Sequence, residues 1–105
     1  MTAVHATQDT FQKEVLDHKG KVVVDFHAEW CGPCKAMEPM IEDLSNELKD
    51  IKFVKVDVDA NQEVAGKYSV FSIPTFLVIV DGQVKHQIVG AQSKDTFKNE
   101  IVKAA

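Results

Sequence analysis

The pattern of apolar and polar residues divides the chain into alternating strands and helices. Residues 22–28 begin with three consecutive valines and residues 53–58 alternate in polarity, so both segments are predicted to be β-strands. Between them, apolar residues recur every three or four positions up to about Lys49, which is the spacing of an amphipathic helix. The strand, helix and strand together predict a βαβ unit.

The segments on either side of this unit continue the alternation. A short strand at Val4-His5 is predicted to precede a helix that begins near Thr7, which can cap it, and ends at Gly20. After the βαβ unit, Asn61 is placed to cap a second, short helix.

The last third of the chain predicts a hairpin and a final helix. Residues 75–80 and 84–89 are predicted strands on either side of Asp81-Gly82, a strong hairpin turn signal, and Ser93 can cap the last helix. The order βαβαβαββα predicts an α/β fold. We expect a central mixed sheet of about five strands, flanked on both faces by about four helices.

Composition predicts one domain over residues 1–105, because 45% hydrophobic residues are enough for a single core. The formal net charge is −4 without a basic run, so neither nucleic acid nor an anionic membrane is an expected partner. No segment between Met1 and Lys21 resembles a signal peptide, and no apolar run is long enough for a membrane helix. We therefore expect a cytoplasmic protein and, by default, a monomer.

A reactive site is predicted at the junction between the strand at residues 22–28 and the long helix that follows it. The only two cysteines, Cys31 and Cys34, lie there three positions apart, with Cys31 at the helix N-terminus. Unpaired N–H groups and the helix macrodipole favour a thiolate at this position, so Cys31 is the candidate nucleophile. Cys34 lies one turn further on the same helical face and can close a disulfide with it. Gly32 permits a tight turn and Pro33 fixes φ, so both preset the dithiol geometry.

Two other interpretations of the cysteine pair are half of a zinc site and an inert structural disulfide. A zinc site needs about four ligands, and the chain has no second cysteine pair. A structural disulfide that closes so short a loop would constrain the unfolded chain little. Redox exchange is therefore favoured, and no metal is expected. The histidines are scattered along the chain at His5, His18, His27 and His86.

Four segments of the chain form a recognisable pattern in their order and spacing: Val22-Val23-Val24-Asp25-Phe26, Trp30-Cys31-Gly32-Pro33-Cys34-Lys35, Ile73-Pro74-Thr75 and Val89-Gly90. In these segments the chain resembles the thioredoxin family, and the resemblance covers essentially its whole length.

The resemblance implies the thioredoxin fold and a general protein dithiol-disulfide oxidoreductase, an electron carrier that maintains cell redox homeostasis. In such a protein, Cys31 attacks a client disulfide and Cys34 resolves the mixed disulfide. No bound metal or organic cofactor is implied, and a thioredoxin reductase, expected to depend on NADPH, restores the dithiol.

The resemblance also implies roles for residues near the dithiol. Asp25, in an otherwise apolar strand, is similar to the family's buried acid, and burial would raise its pKa so that it can accept the Cys34 proton. The alternative is a half-exposed carboxylate paired with a lysine. Lys55 matches the family's lysine near this acid, and a solvated strand lysine stays open as the alternative.

A client-binding surface is implied around the cysteines. By resemblance, the Ile73-Pro74 peptide bond is expected to be cis, and the turn to offer the Ile73 backbone to an extended client segment. Trp30 is interpreted either as a core aromatic residue or as part of an apolar rim beside Cys31. Gly90, without a side chain, would let a client backbone approach. The proposed rim consists of Trp30, Gly32, Pro33, Ile73, Val89 and Gly90.

Two positions depart from common members of the family. His27 stands where many bacterial thioredoxins carry tryptophan, and a half-exposed strand histidine without a catalytic part is the favoured interpretation. Phe71 occupies a site that is often polar, where it either extends the docking patch or packs locally.

Two other redox families and one other class of function are alternatives to this prediction. Glutaredoxins usually place Pro-Tyr between the cysteines and disulfide isomerase domains Gly-His, so Gly32-Pro33 favours the reducing family. A redox-gated binding subunit, whose oxidation state changes its docking surface, would need the same two cysteines. The motif leaves this alternative open.

Overall fold

The structure is a computed structural model that describes residues 3–105. In chain order it contains β1 (Ala3–His5), a π-helical segment (Gln12–Leu16), β2 (Lys21–His27), α1 (Gly32–Glu47), β3 (Ile51–Asp57), α2 (Gln62–Lys67), β4 (Thr75–Val80), β5 (Gln83–Val89) and α3 (Lys94–Lys103). Most predicted bounds lie within two residues of these.

The five strands form one mixed sheet in the order β1-β3-β2-β4-β5. In the middle of the sheet, β2 runs parallel to β3, with Asp25 opposite Lys55, and antiparallel to β4, with Phe26 opposite Thr75. The predicted mixed α/β sheet is therefore confirmed. Because α1 follows the carboxyl end of the central strand β2, its first turn lies beyond the carboxyl ends of the parallel strands. Open α/β sheets commonly place their ligand-binding and active sites there.

Two apolar layers cover the sheet, because alternate strand residues point to opposite faces. One layer lies between the sheet and the helices α1 and α3, where the rings of Phe76 and Phe97 meet edge to face at 4.6 Å. Its largest fully buried members are Leu44, Phe53, Phe76, Ile88, Phe97 and Ile101. The opposite layer includes Phe11, Val15, Phe26, Val54, Val64 and Leu77.

The helix predicted between Thr7 and Gly20 is present, but its predicted bounds are wrong, because the helical segment is Gln12–Leu16 and it is of the π type. The Thr7 N–H donates to Thr10 Oγ1 at 2.9 Å, and the Thr10 N–H donates back to the Thr7 carbonyl. This local turn competes with a regular first helical turn.

The interpretation of Asn61 is half right. It lies directly before α2, but its side chain makes no capping bond. Instead, Asn61 Oδ1 accepts the Gln8 N–H and Asn61 Nδ2 donates to the Asp57 carbonyl, each at 2.9 Å. A buried amide in this position satisfies loop backbone groups from two parts of the chain, which helix propensity cannot predict.

The hairpin and the last helix form as predicted. Asp81 and Gly82 both have positive φ, at 50° and 83°, as a two-residue hairpin turn requires. The Ser93 hydroxyl accepts the Thr96 N–H and so caps α3. Among residues 3–105, no helix is both long and apolar enough to span a membrane.

Candidate functional site

Cys31 and Cys34 form a disulfide at the first turn of α1, with their Cα atoms 5.3 Å apart. Cys31 is the N-cap residue, in an extended conformation, and its Sγ accepts the Cys34 N–H at 3.1 Å. Its sulfur thus takes the position of the oxygen in an ordinary cap, among N–H groups without helical partners. After reduction, the same groups would stabilise a Cys31 thiolate.

The disulfide is largely covered by apolar side chains. Cys31 and Cys34 are only 3% and 5% exposed. They pack with Ala28, and the partly buried Val58 and Ile73 lie against them. Pro33, in the first turn of α1, has no N–H of its own, so its position adds no unpaired donor there. A client must therefore reach the sulfur atoms through the surface formed around this turn.

Asp25 is a buried carboxyl on β2. It is 5% exposed, and its Oδ1 has no hydrogen-bond partner among residues 3–105. Burial raises the pKa of Asp25 to about 7, while the positive charge of Lys55 opposes the rise and the negative charge of Glu38 adds to it. Such a carboxyl is able to bind and release a proton near neutral pH.

The proline turn lies beside the disulfide. The Ile73-Pro74 bond is cis, and Ile73 packs against the cysteine cluster. The Gly90 N–H donates to the Pro74 carbonyl at 2.8 Å, which brings the end of β5 to the same place. Gly90 has a φ of 91°, and the position of a Cβ there is open. Val89, next to it, is exposed.

Trp30 lies at the surface with 69% of its area exposed, so the interpretation as a core aromatic residue is wrong. Its Nε1 donates to Asp59 Oδ2 at 2.7 Å. Phe71 is 91% exposed, which makes the local-packing interpretation wrong as well. A groove of about 350 Å³ runs between the two aromatic residues. Its lining consists of Trp30, Val58, Val70, Phe71, Ser72 and Ile73.

Asp59, Val58 and Val70 also lie at this site, although none of them was predicted from the sequence. Asp59 follows the carboxyl end of β3, the strand next to β2, which is where functional side chains of parallel strands gather. That position is a signal that was present in the sequence. The contact of Val70 with the groove depends on the proline turn and had no comparable signal.

His27 is half-buried at the end of β2 and borders a second groove, of about 690 Å³, together with Lys35, Glu38 and Lys55. Its Nε2 is buried without a partner among the described residues. Burial and the nearby charge of Lys55 lower the pKa of His27. Within residues 3–105, no group of three or more His, Cys, Asp or Glu side chains is arranged to hold a metal ion.

Comparison with known proteins gives one consistent result. Residues 2–103 match the family model described as Thioredoxin. The chain is 47% identical to the thioredoxin of Bacillus subtilis over 104 residues, which cover 98% of both chains. It is 41% identical to thioredoxin 1 of Synechococcus elongatus, over 96% of this chain and 95% of the relative. Thioredoxin C-2 of Corynebacterium nephridii is 48% identical over 86% of this chain and 84% of its own length.

Proposed function

The chain belongs to the thioredoxin family and is a dithiol-disulfide oxidoreductase that reduces protein disulfides, and from this premise we propose the residues that carry the reaction. Cys31 is the nucleophile and Cys34 the resolving thiol. The observation that carries this assignment is the Cys31 sulfur at the N-cap of α1, where it accepts the Cys34 N–H. Only one of the two sulfurs has the cap position, so the two thiols are chemically unequal.

The reaction has two exchange steps. The Cys31 thiolate forms a bond to one sulfur of a client disulfide, and the other client sulfur leaves as a thiolate. Cys34 then forms a bond to the Cys31 sulfur, and the second client sulfur leaves. The client gains two electrons and the chain is left with the Cys31–Cys34 disulfide. Gly32 and Pro33 hold the first turn of α1 in the form that both states need.

Asp25 is the proton acceptor in the second step. Cys34 must lose its proton before it can attack, and a buried carboxyl with a pKa of about 7 is matched to that task at neutral pH. Lys55, opposite Asp25 on β3, favours the ionised carboxylate that accepts the proton. Its role is to keep part of the Asp25 population ionised despite burial.

The client binds along the apolar surface around the disulfide. An extended client segment pairs with the Ile73 backbone beside Pro74, and Gly90 leaves room for its main chain. Trp30 and Val89, both exposed, cover apolar client side chains on either side. Recognition by shape rather than charge suits a carrier that serves many proteins.

The reaction needs no resident cofactor, and we propose a thioredoxin reductase, itself supplied by NADPH, as the electron source. We also propose one domain over residues 1–105, of which residues 1 and 2 lie outside the described part, and a monomeric, cytoplasmic protein. An NADPH-coupled assay with candidate reductases tests the electron source directly.

A pair of cysteine variants tests the roles of the two thiols. Cys34→Ser should trap client proteins as mixed disulfides that dithiothreitol releases, because attack proceeds and resolution cannot. Cys31→Ser, the matched control, should trap far fewer. Equal trapping by both variants would overturn the assignment. Non-covalent binding of one partner without trapping would instead favour the redox-gated binding subunit.

A further inference from the structure

The groove of about 690 Å³ lies between α1 and the edge of the sheet, and polar side chains line it on both sides. The sheet contributes His5, His27 and Lys55, while α1 contributes Lys35 and Glu38 among others. The lining is mixed, because Ala3, Ala28, Pro39 and Ile41 also contribute to it. At the groove, charged and titratable side chains thus interrupt the apolar contacts between α1 and the sheet.

Strand register explains why these groups lie together. Ala3, Val23 and Phe53 form part of the apolar layer under α1, and two residues further along their strands come His5, Asp25 and Lys55. Side chains two apart on a strand share a face, so this polar row continues the apolar one. By the same rule His27, two residues after Asp25 on β2, lies on the same face.

His27 and Asp25 share charged neighbours. The pKa of Asp25 responds to Lys55 and Glu38, and the pKa of His27 responds to the same two groups. The other charged or titratable groups that act on His27 are Asp57 from β3 and His5 from β1, whose ring lies 6.5 Å away. The carboxyl and the imidazole therefore belong to one titrating cluster, in which His27 lines the groove and Asp25 is buried on the same strand, opposite the lining residue Lys55.

We propose that His27 is a positioning residue of the resolving step, which relays the Cys34 proton from Asp25 through the groove to solvent. The proposal rests on the proposed function, in which Asp25 takes that proton. Two observations carry it: the His27 Nε2 is buried without a partner among the described residues, and one groove is lined by His27 together with Lys55 and Glu38, the charged neighbours of Asp25.

The proton balance of the relay closes without any further reactant. The Cys34 thiol gives its proton to the Asp25 carboxylate as the Cys34 sulfur bonds to Cys31 and the client thiolate leaves. The Asp25 carboxylic acid passes the proton through solvent in the groove to neutral His27, and the imidazolium loses it to a base in bulk solution. A lowered pKa keeps the His27 imidazole neutral at pH 7, and it makes the imidazolium a stronger acid that quickly passes the proton on to bulk solution.

The test is the rate at which the wild-type protein and its variants release a client thiol from a preformed mixed disulfide, followed by stopped flow. His27→Gln should slow release at pH 7 roughly tenfold, less than the hundredfold or more typical of losing a direct general base. Added imidazole should restore the rate of His27→Ala, because the enlarged groove admits a free base. His86→Gln, a histidine on β5 away from the groove, should release at the wild-type rate.

The thermal unfolding temperature of each oxidised variant shows whether slow release comes from a folding defect or from loss of the proton relay. Release at the wild-type rate by both His27→Gln and His27→Ala, while Asp25→Asn is slow, would overturn the relay and leave the Asp25 assignment intact. Slow release by His27→Ala that imidazole does not restore would assign His27 a packing role and also overturn the relay. A wild-type rate in Asp25→Asn would remove the proton acceptor itself, and the relay with it.

Discussion

The Trp30 indole is held beside the disulfide by a single hydrogen bond, from its Nε1 to Asp59 Oδ2 at 2.7 Å. A tryptophan this exposed would otherwise be free to adopt several rotamers. The bond orients the ring by its polar edge and leaves its apolar surface available along the groove that ends at Phe71. We therefore expect Asp59 to influence client binding through the orientation of Trp30.

Removing this bond should weaken client binding more than catalysis. A hydrogen bond to a charged group contributes about 1.5 kcal/mol, and less when exposed, so Asp59→Ala should raise KM for a protein disulfide by about three- to tenfold. Reduction of a small aromatic disulfide should hardly change. Kinetics with both substrates measure this, and Asp9→Ala, another exposed acid, is the control. An unchanged KM together with a more mobile indole in fluorescence anisotropy would contradict the prediction.

Asp25→Asn should stabilise the oxidised protein, and the gain should depend on pH. The pKa of Asp25 is about 7 in the folded protein, against an ordinary value of 3.8. Between these values the folded protein binds a proton that the unfolded chain has lost, so this group makes stability fall as pH rises. At about 1.4 kcal/mol per pKa unit, the gain from Asn should grow from near zero at pH 4 to about 4–4.5 kcal/mol above pH 7.

Urea unfolding at several pH values measures this gain. Asp50→Asn, at an exposed position, is the matched control and should give no such trend. A constant difference between Asp25→Asn and the wild type from pH 4 to pH 8 would show that Asp25 titrates normally.

Phe71→Ser should impair recognition of apolar clients without destabilising the fold. An almost fully exposed side chain has little burial to lose, so the free energy of unfolding should change by less than about 0.5 kcal/mol. KM should rise for a client with bulky apolar residues near its disulfide. Val102→Ser removes an exposed apolar side chain from α3 and should leave KM unchanged. Equal KM values for Phe71→Ser and the wild type would exclude Phe71 from the docking surface.

Two glycine variants separate backbone strain from loss of space. Neither Gly90 nor Gly66 has an atom within 4 Å of where a Cβ would stand, but only Gly90 has a positive φ. Gly90→Ala should therefore destabilise the protein by about 1–2 kcal/mol. Gly66→Ala, in α2, should stabilise it by about 0.5–1 kcal/mol. Thermal unfolding measures both, and a destabilising Gly66→Ala would show that the two sites do not differ as proposed.

Local sequence signals predicted most of the fold. The valine run of β2, the spacing of α1 and the Asp81-Gly82 turn each act within a few residues, so a linear pattern contains the information. The same reasoning failed at Thr7, where a side-chain turn replaced a helix start. The expected cap at Asn61 also failed, because the side-chain oxygen of Asn61 accepts a hydrogen bond from the N–H of Gln8, 53 positions earlier in the chain.

The placement of Cys31 at a helix N-terminus follows from the order of residues alone, because a strand run, a Gly-Pro pair and a helical stripe succeed one another there. The burial of Asp25 was likewise expected from its apolar strand, but the exposure of Trp30 and Phe71 and the bond from Trp30 to Asp59 do not follow from residue order. Nor does the cluster that joins His27 to Glu38 and Lys55. These features arise where strands and helices that are distant along the chain pack together. Packing determines which polar groups are removed from water and which apolar groups stay in contact with it.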